Sequence, residues 1–300
     1  MDQAEQLRNI IKAQNQAPSR PVARVITVTS GKGGVGKSNT SINLAIQFRK
    51  MGQRVIILDA DFGLANIEVM FGAVPKHNLA DLIYQGKSIK EIITWGPMDV
   101  GFISGGSGIA SMSNLSREHL IYIIQNLAEL DAITDVIIVD TGAGISDAVL
   151  EFLVASGEIL LVTTPEPTSI TDSYSLLKAL ARHKRFSSEN SQIKMVANKV
   201  QNAAEGVALY NKLNAVVQRY LKLPVSFLGS VPEDPYLSKA VMQQTPVSIQ
   251  TPNAKSALAY EQIARVLMNK DSVASVKKRG MAAFFSHIVT GKMFKDTNNG

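Results

Sequence analysis

Residues 30–40 read Ser30-Gly31-Lys32-Gly33-Gly34-Val35-Gly36-Lys37-Ser38-Asn39-Thr40, and the fold follows from them. The run before it, Arg24 to Thr29, is apolar-leaning and reads as a buried strand. The run after it carries Ile42, Leu44, Ala45 and Phe48 at helical spacing. A glycine, four residues and then Gly36-Lys37-Ser38, set between a strand and a helix, form the phosphate-cradling loop pattern. Glycines let successive backbone N–H groups curve around a phosphate with no Cβ in the way. The following helix adds the positive end of its dipole. The pattern places Lys37 on the outer phosphates of a nucleoside triphosphate and the Ser38 hydroxyl on Mg²⁺. Gly31, Lys32, Gly33, Gly34, Val35, Gly36, Lys37, Ser38 and Asn39 are therefore the candidate nucleotide-binding run.

Outward from this loop, apolar strands alternate with amphipathic segments, which predicts an α/β fold: a mainly parallel central sheet with helices on both faces. Strands are expected at 24–29, 54–59, 99–103, 135–140, 158–163, 193–198 and 226–231. Helices are expected at 37–51, 78–85, 116–130, 146–155, 168–184, 204–221, 234–243 and 253–269. Runs such as Val55-Ile56-Ile57-Leu58 and Val136-Ile137-Ile138-Val139 are continuously apolar, as strands buried on both faces are. Three parts are expected: a short helix and linker over 1–23, a nucleotide-binding domain over 24–270, and a tail over 271–300. Of the 300 residues 45% are hydrophobic, ample for a sizeable core, and there is no cysteine, so no disulfide and no thiolate metal site. No apolar run reaches the roughly 18–20 residues of a membrane span. The first twenty residues are too polar for a secretory signal, and Asp2 excludes myristoylation. These features fit a cytoplasmic chain.

Two further runs place carboxylates at the ends of expected strands, where α/β sheets hold their ligands. The first is Leu58-Asp59-Ala60-Asp61-Phe62-Gly63-Leu64-Ala65-Asn66. Alternate positions of an extended segment point to opposite sides, so Asp59 and Asp61 should not share a role. The second is Asp140-Thr141-Gly142-Ala143-Gly144, where an apolar strand ending in Asp delivers a carboxylate toward Mg²⁺.

The string Lys32-Gly33-Gly34-Val35-Gly36-Lys37-Ser38 resembles the deviant Walker A box of the MinD/ParA family of ATPases, and the two acidic runs resemble that family's first and second switches. The resemblance implies a three-layer P-loop NTPase fold, ATP/ADP and Mg²⁺ as ligands, slow ATP hydrolysis, and a homodimer closed by ATP. It implies that Lys32 reaches across the dimer to the partner's nucleotide. It also implies that Asp61 orients the attacking water, and that Ser38, Asp140 and Asp61 form the metal side. Asn198, in Asn198-Lys199-Val200, matches the base-reading asparagine; an Asn amide can pair with an adenine edge. Pro232, Glu233 and Asp234 match a second base-side loop. Glu166 and Asp172 look like the interface loop and the start of its helix.

The chain ends carry separate signals. In the tail, Met281, Phe284, Phe285, Ile288 and Val289 fall on one helical face, and residues 271–300 hold five Lys or Arg against Asp271 and Asp296. That is the composition of a helix lying on an anionic membrane surface, and it resembles the family's membrane-targeting helix. The same stripe also suits a helix docked on its own domain, and both states are compatible at different times. Two such helices on one dimer raise membrane affinity by roughly 10²–10⁴. At the other end, Asp2-Gln3-Ala4-Glu5-Gln6-Leu7-Arg8 resembles the DQAxxLR activator motif of the family branch that regulates flagellum number. By that resemblance Gln3 enters the active site of an FlhF-type GTPase of the signal-recognition-particle class, Leu7 and Arg8 anchor the segment, and flagellar C-ring proteins are further partners. The expected place is the cytoplasm, peripheral on the inner face of the cell membrane. Two rivals share the chemistry: a MinD-type division-site regulator, and a ParA-type DNA-partition ATPase. For the latter, basic residues should cluster on the folded domain rather than in the tail; Lys178, Arg182, Lys184 and Arg185 do cluster on one expected helix, so this rival stays open, although DNA is not the expected partner.

Overall fold

The computed structural model describes residues 22–61, 66–105, 117–269 and 280–296. Strands β1 (Arg24–Thr29), β2 (Val55–Ala60), β3 (Thr94–Trp95), β4 (Gly101–Ser104), β5 (Val136–Thr141), β6 (Glu158–Thr163), β7 (Gln192–Val200) and β8 (Val225–Pro232) form one sheet. Their order is β3-β4-β2-β5-β1-β6-β7-β8, parallel throughout except for β3 against β4. Every residue of β1, β2, β4, β5 and β6 is buried, and β2, β5 and β6 each carry four consecutive Val, Ile or Leu, as strands covered on both faces do.

The described helices are α1 (Lys37–Lys50), α2 (Asn66–Phe71), α3 (Leu79–Tyr84), α4 (Ile89–Ile92), α5 (Arg117–Ala128), α6 (Leu130–Ile133), α7 (Asp147–Ala155), α8 (Pro167–Arg182), α9 (Ala203–Leu221), α10 (Pro235–Met242), α11 (Val247–Gln250), α12 (Lys255–Met268) and α13 (Gly280–Asp296). One face of the sheet, with Ile26, Val28 and Ile57, packs on α1 and α12. The other, with Val25, Ile56 and Leu58 toward one side and Ile159, Leu161 and Met195 toward the other, packs on α3–α9 and α13. This is the expected three-layer architecture. Helix α1 is enclosed on most sides, so even its polar Asn43 and Gln47 are buried and paired, the first accepting from Ser248 N at 3.0 Å and the second donating to Ser248 Oγ at 3.2 Å.

Strand boundaries fall within two residues of expectation. The elements that escaped are short: β3, α2, α4, α11 and a 3₁₀ turn at Pro97–Asp99. Helix α4 did carry a readable signal, a capping box between Ser88 and Glu91. The helix expected over 116–130 ends at Ala128, and α6 follows as a separate turn.

The tail takes the docked arrangement, one of the two that its apolar stripe allows. Its helix, α13, lies on the domain, packed against α5 and α7. Met281, Phe284, Phe285 and Ile288 are at most 2% exposed, and the ring of Phe152 from α7 stacks on Phe284 at 6.0 Å and meets Phe285 edge-on at 6.3 Å. The face expected on a membrane is thus covered by the chain's own core, because an apolar stripe specifies burial and leaves open what covers it. The side chain of Val289, and Gln3, Leu7 and Arg8, lie outside the described residues. Among the described residues no helix is long and apolar enough to cross a membrane.

At the amino edge of the sheet, Arg24 holds Glu158 through two hydrogen bonds of 2.8 Å, and Lys194 donates to Glu158 at 2.7 Å. Glu158 is fully buried, so its removal takes a shared carboxylate from two buried cations. Glu158→Ala is expected to cost about 3–5 kcal/mol in urea unfolding. Arg54→Ala, which breaks the exposed pair with Asp135, should cost less than about 1 kcal/mol. Equal losses would remove the distinction.

Candidate active site

Because the central strands are parallel, their carboxyl ends share one edge, and the loops after β1, β2, β5, β7 and β8 converge there. Gly31 lies against the backbone of Asp172 and Ser173 in α8, where a Cβ would have no room. The Gly144 N–H donates to Ser30 O at 2.9 Å and ties the loop after β5 to the phosphate loop. Gly36 turns the chain into α1 with φ 92°, a left-handed value that favours glycine.

Lys37, 7% exposed, points into this edge and donates to Asp140 Oδ1 at 3.4 Å. Ser41, one turn along α1, donates to the same oxygen at 2.8 Å. The other oxygen, Asp140 Oδ2, is buried with no hydrogen-bond partner among the described residues. A bare anionic oxygen beside the first turn of a phosphate-loop helix, with Ser38 on that turn, fits a divalent cation. Ser38 and Asp140 would hold it.

Asp59 lies opposite Asp140 in the β2–β5 register. It is buried and accepts the Asp61 N–H at 3.1 Å and the Ile67 N–H at 3.4 Å, so it braces the loop between them. Burial, reinforced by the charge of Asp140, pushes its carboxyl up to about 7. Asp61 follows Ala60, the last residue of β2. It is partly exposed, receives Asn66 Nδ2 at 3.4 Å, and faces Gly142 of the loop after β5.

Lys32 does not approach its own phosphate loop. Its Nζ donates to Glu166 Oε2 and Thr168 Oγ1, each at 2.9 Å, at the start of α8. The bonded ammonium holds the Glu166 carboxyl below its usual range. Asn198 donates from Nδ2 to Val35 O at 2.7 Å, and its Oδ1 is buried without a partner. That leaves a buried amide oxygen near the end of β7 with an unused acceptor, which an amino group such as that of adenine could serve. Lys199, in the left-handed region at φ 56°, donates to Gly34 O at 2.9 Å. Asp234 is a correction. Its carboxylate caps α10 through Tyr236 N at 3.0 Å and binds Ser256 N at 2.9 Å and Ser256 Oγ at 2.8 Å, so it is committed to the fold. Burial raises its pKa, but these donors prevail and the carboxyl lies below its ordinary value. Pro232 ends β8, and Glu233 N donates to Val200 O at 2.9 Å beside Asn198. Sequence reasoning missed Ser41, Thr168 and Lys199. Only Ser41, one helical turn after Lys37, carried a signal in its spacing.

Arg185, from the expected basic cluster, is taken up by Glu151 and by His287 O, the latter at 2.6 Å. Lys178 and Arg182 line a groove with Tyr174 and Tyr220 between α8 and α9.

A carboxyl that titrates near 7 in the fold and at about 3.9 when unfolded binds a proton on folding. The nucleotide-free chain therefore loses stability from this group as pH rises from about 4 through about 7. Asp59→Asn should remove that loss, so urea unfolding should show the variant gaining on the parent from pH 5 to pH 8. A difference independent of pH would contradict it.

Residues 21–268 match the family model described as "ParA: NUBPL iron-transfer P-loop NTPase". The chain has no cysteine, so the thiolates that hold iron–sulfur clusters are lacking. It is 40% identical over 250 residues to the antiactivator FleN of Pseudomonas aeruginosa, covering 83% of this chain and 88% of that one. It is 32% identical to the flagellum site-determining protein YlxH of Helicobacter pylori, covering 96% and 98%. Among solved structures, the septum site-determining protein MinD complexed with Mg-ADP from Pyrococcus horikoshii superposes with a TM-score of 0.65 at 22% identity, over 85% of this chain and 99% of that one. The phosphate loop, the buried Asp140 and the match across the whole domain agree: the chain belongs to the ParA family of P-loop NTPases and is an ATP hydrolase of that family.

Proposed function

We propose that the chain is an ATP-dependent dimerising, membrane-cycling ATPase that controls flagellum number and placement, of the FlhG (YlxH/FleN) type, and that its N-terminal segment stimulates an FlhF-type GTPase. The observation that carries this reading is the 32% identity over 96% of the chain to a flagellum site-determining protein, joined to the 40% identity to FleN. MinD-type septum proteins align at lower identity, 28% over 82% of the chain for that of Oltmannsiellopsis viridis. Flagellar C-ring proteins and the inner face of the cell membrane are the remaining partners in this reading.

The residues divide the work as follows. The loop N–H groups and Lys37 bind the phosphates, and Asn198 Oδ1 accepts from adenine. Bound Mg²⁺ supplies charge neutralisation on the transferring phosphate. Asp61, on the exposed side of its strand end and over Gly142, orients the attacking water. Lys32 is held in its own subunit by Glu166 and Thr168, so its reach to a partner's nucleotide begins with the loss of that ion pair. The pair is half exposed and worth little, which makes exchange for a phosphate favourable. Membrane binding requires α13 to leave its groove. Each of its four buried apolar side chains is worth roughly 1.5–3 kcal/mol, and an apolar lipid surface returns much of that.

Asp61→Ala should lower ATP turnover by about 10²-fold while the ATP-bound dimer persists in size-exclusion chromatography. Lys32→Ala should bind nucleotide normally and fail to dimerise; normal dimerisation and turnover would refute its role across the interface. A peptide of residues 1–23 should stimulate an FlhF-type GTPase, with the effect lost in Gln3→Ala. Stimulation that survives Gln3→Ala would count against the partner assignment, and salt-sensitive binding to nonspecific DNA would favour the DNA-partition reading.

A further inference from the structure

At the edge of the sheet opposite the nucleotide loops, Arg49, Arg54, Val55, Trp95 and Ile133 enclose a cavity of about 410 Å³. Trp95, the sole tryptophan of the chain, is 58% exposed there, and Met98 beyond it is 43% exposed. The rim is built and held. Arg49 donates to Met98 O at 3.0 Å and to Asp99 at 3.4 Å, and it pins two residues whose φ values of 57° and 56° are costly for side chains other than glycine. Arg54 is paired with Asp135 at 2.8 Å. The cations are therefore balanced by the chain's own acids, and the cavity offers an apolar, aromatic surface rather than a charged one. An unpaired anion gains little in it; an apolar stripe gains most.

The position of the cavity points to its occupant. The chain enters the fold at Ala23, whose N–H bonds to Asp131, and Arg24 N donates to Asp135 O at 2.9 Å. Ile133 and Thr134, between those two acids, line the cavity. The described chain thus begins beside its wall. Strands β1, β5, β2 and β4 are successive neighbours, so three strand spacings, about 14 Å, separate the entry point from the base of β4. The chain from Ile11 to Val22 reaches up to roughly 35 Å when extended, well beyond that gap. The segment also carries the apolar side chains such a surface takes, Leu7, Ile10 and Ile11, at the spacing of one helical face. A tether this short gives a local concentration on the order of millimolar, enough to fill a site of modest affinity.

We infer that this cavity is an intramolecular dock for the chain's own N-terminal segment, with Leu7, Ile10 and Ile11 packed on Trp95. In the function proposed above, on which this consequence rests, docking withholds the segment from the GTPase, and its release sets how much activator is available.

Trp95 reports on the site directly. In nucleotide-free full-length protein, the triple variant Leu7→Ser/Ile10→Ser/Ile11→Ser is expected to shift tryptophan emission to the red and to raise its acrylamide quenching relative to the parent. Adding a synthetic peptide of residues 1–21 to that variant should reverse both changes and saturate. Identical spectra for parent and variant, or a peptide without effect, would overturn the dock. Parent emission that depends on protein concentration would overturn it as well, since the occupant would then be a second copy. The two readings separate cleanly: a peptide that stimulates the GTPase but leaves Trp95 unchanged defeats the dock alone, and one that moves Trp95 without stimulating defeats the GTPase reading alone.

Discussion

The carboxylate of Asp140 is fully buried at the middle of the sheet with one oxygen paired and the other bare. Burying a charge is costly unless it is compensated, and here compensation is partial. Lys37 and Ser41 both serve Oδ1. Asp59 opposite it responds by holding its proton up to about 7. The edge is thus electrostatically incomplete without a cation, and the phosphates that accompany the cation have glycine N–H groups waiting beside it. Nucleotide binding finishes an arrangement that the strand order has already assembled, because β1, β2 and β5 are direct neighbours.

The same edge is mechanically continuous with parts of the molecule that do no chemistry. Gly144 bonds to Ser30 on the phosphate loop, and two residues later Ser146 caps α7. The middle of α7 carries Glu151 and Phe152, which hold Arg185 and the rings of the tail. One nine-residue helix therefore has its capped start tied to the nucleotide edge and its middle under α13. On the other flank, Asn198 and Lys199 donate to the carbonyls of Val35 and Gly34, so the end of β7 is fastened to the phosphate loop.

What the sequence disclosed follows from this architecture. The phosphate loop, Asp61 and Asp140 are local motifs, each at the end of an apolar strand, and they were legible because parallel strands deliver their ends to one place. The in-chain partners of Lys32 were not legible, since Glu166 and Thr168 are more than 130 residues away and meet it only through the packing of α8. Asp234 misled for a related reason. An acid after a strand reads equally as a ligand or as a helix cap, and the donors that decide, Tyr236 and Ser256, belong to two different helices. Trp95 and its neighbours gave no periodic signal because β3 is two residues long.

The tail shows how far such ambiguity reaches. Its stripe of Met281, Phe284, Phe285 and Ile288 satisfies the requirements of a core and of a lipid surface alike. If α13 leaves, Phe152 loses its contacts with Phe284 and Phe285 and the groove it lines opens to water, so departure costs more than the helix alone would suggest. Asp131 adds to this, since its buried carboxylate, raised by burial, accepts N–H groups from Met281 and Ala282 at the start of the helix and from Ala23 at the chain's entry. One lipid-facing helix of this size recovers little beyond that cost. Two on a single dimer recover it jointly, the second binding at high local concentration once the first is seated. In the proposed cycle, then, the docked tail works as a threshold: it keeps the monomer off the membrane and makes attachment follow dimerisation rather than nucleotide binding alone.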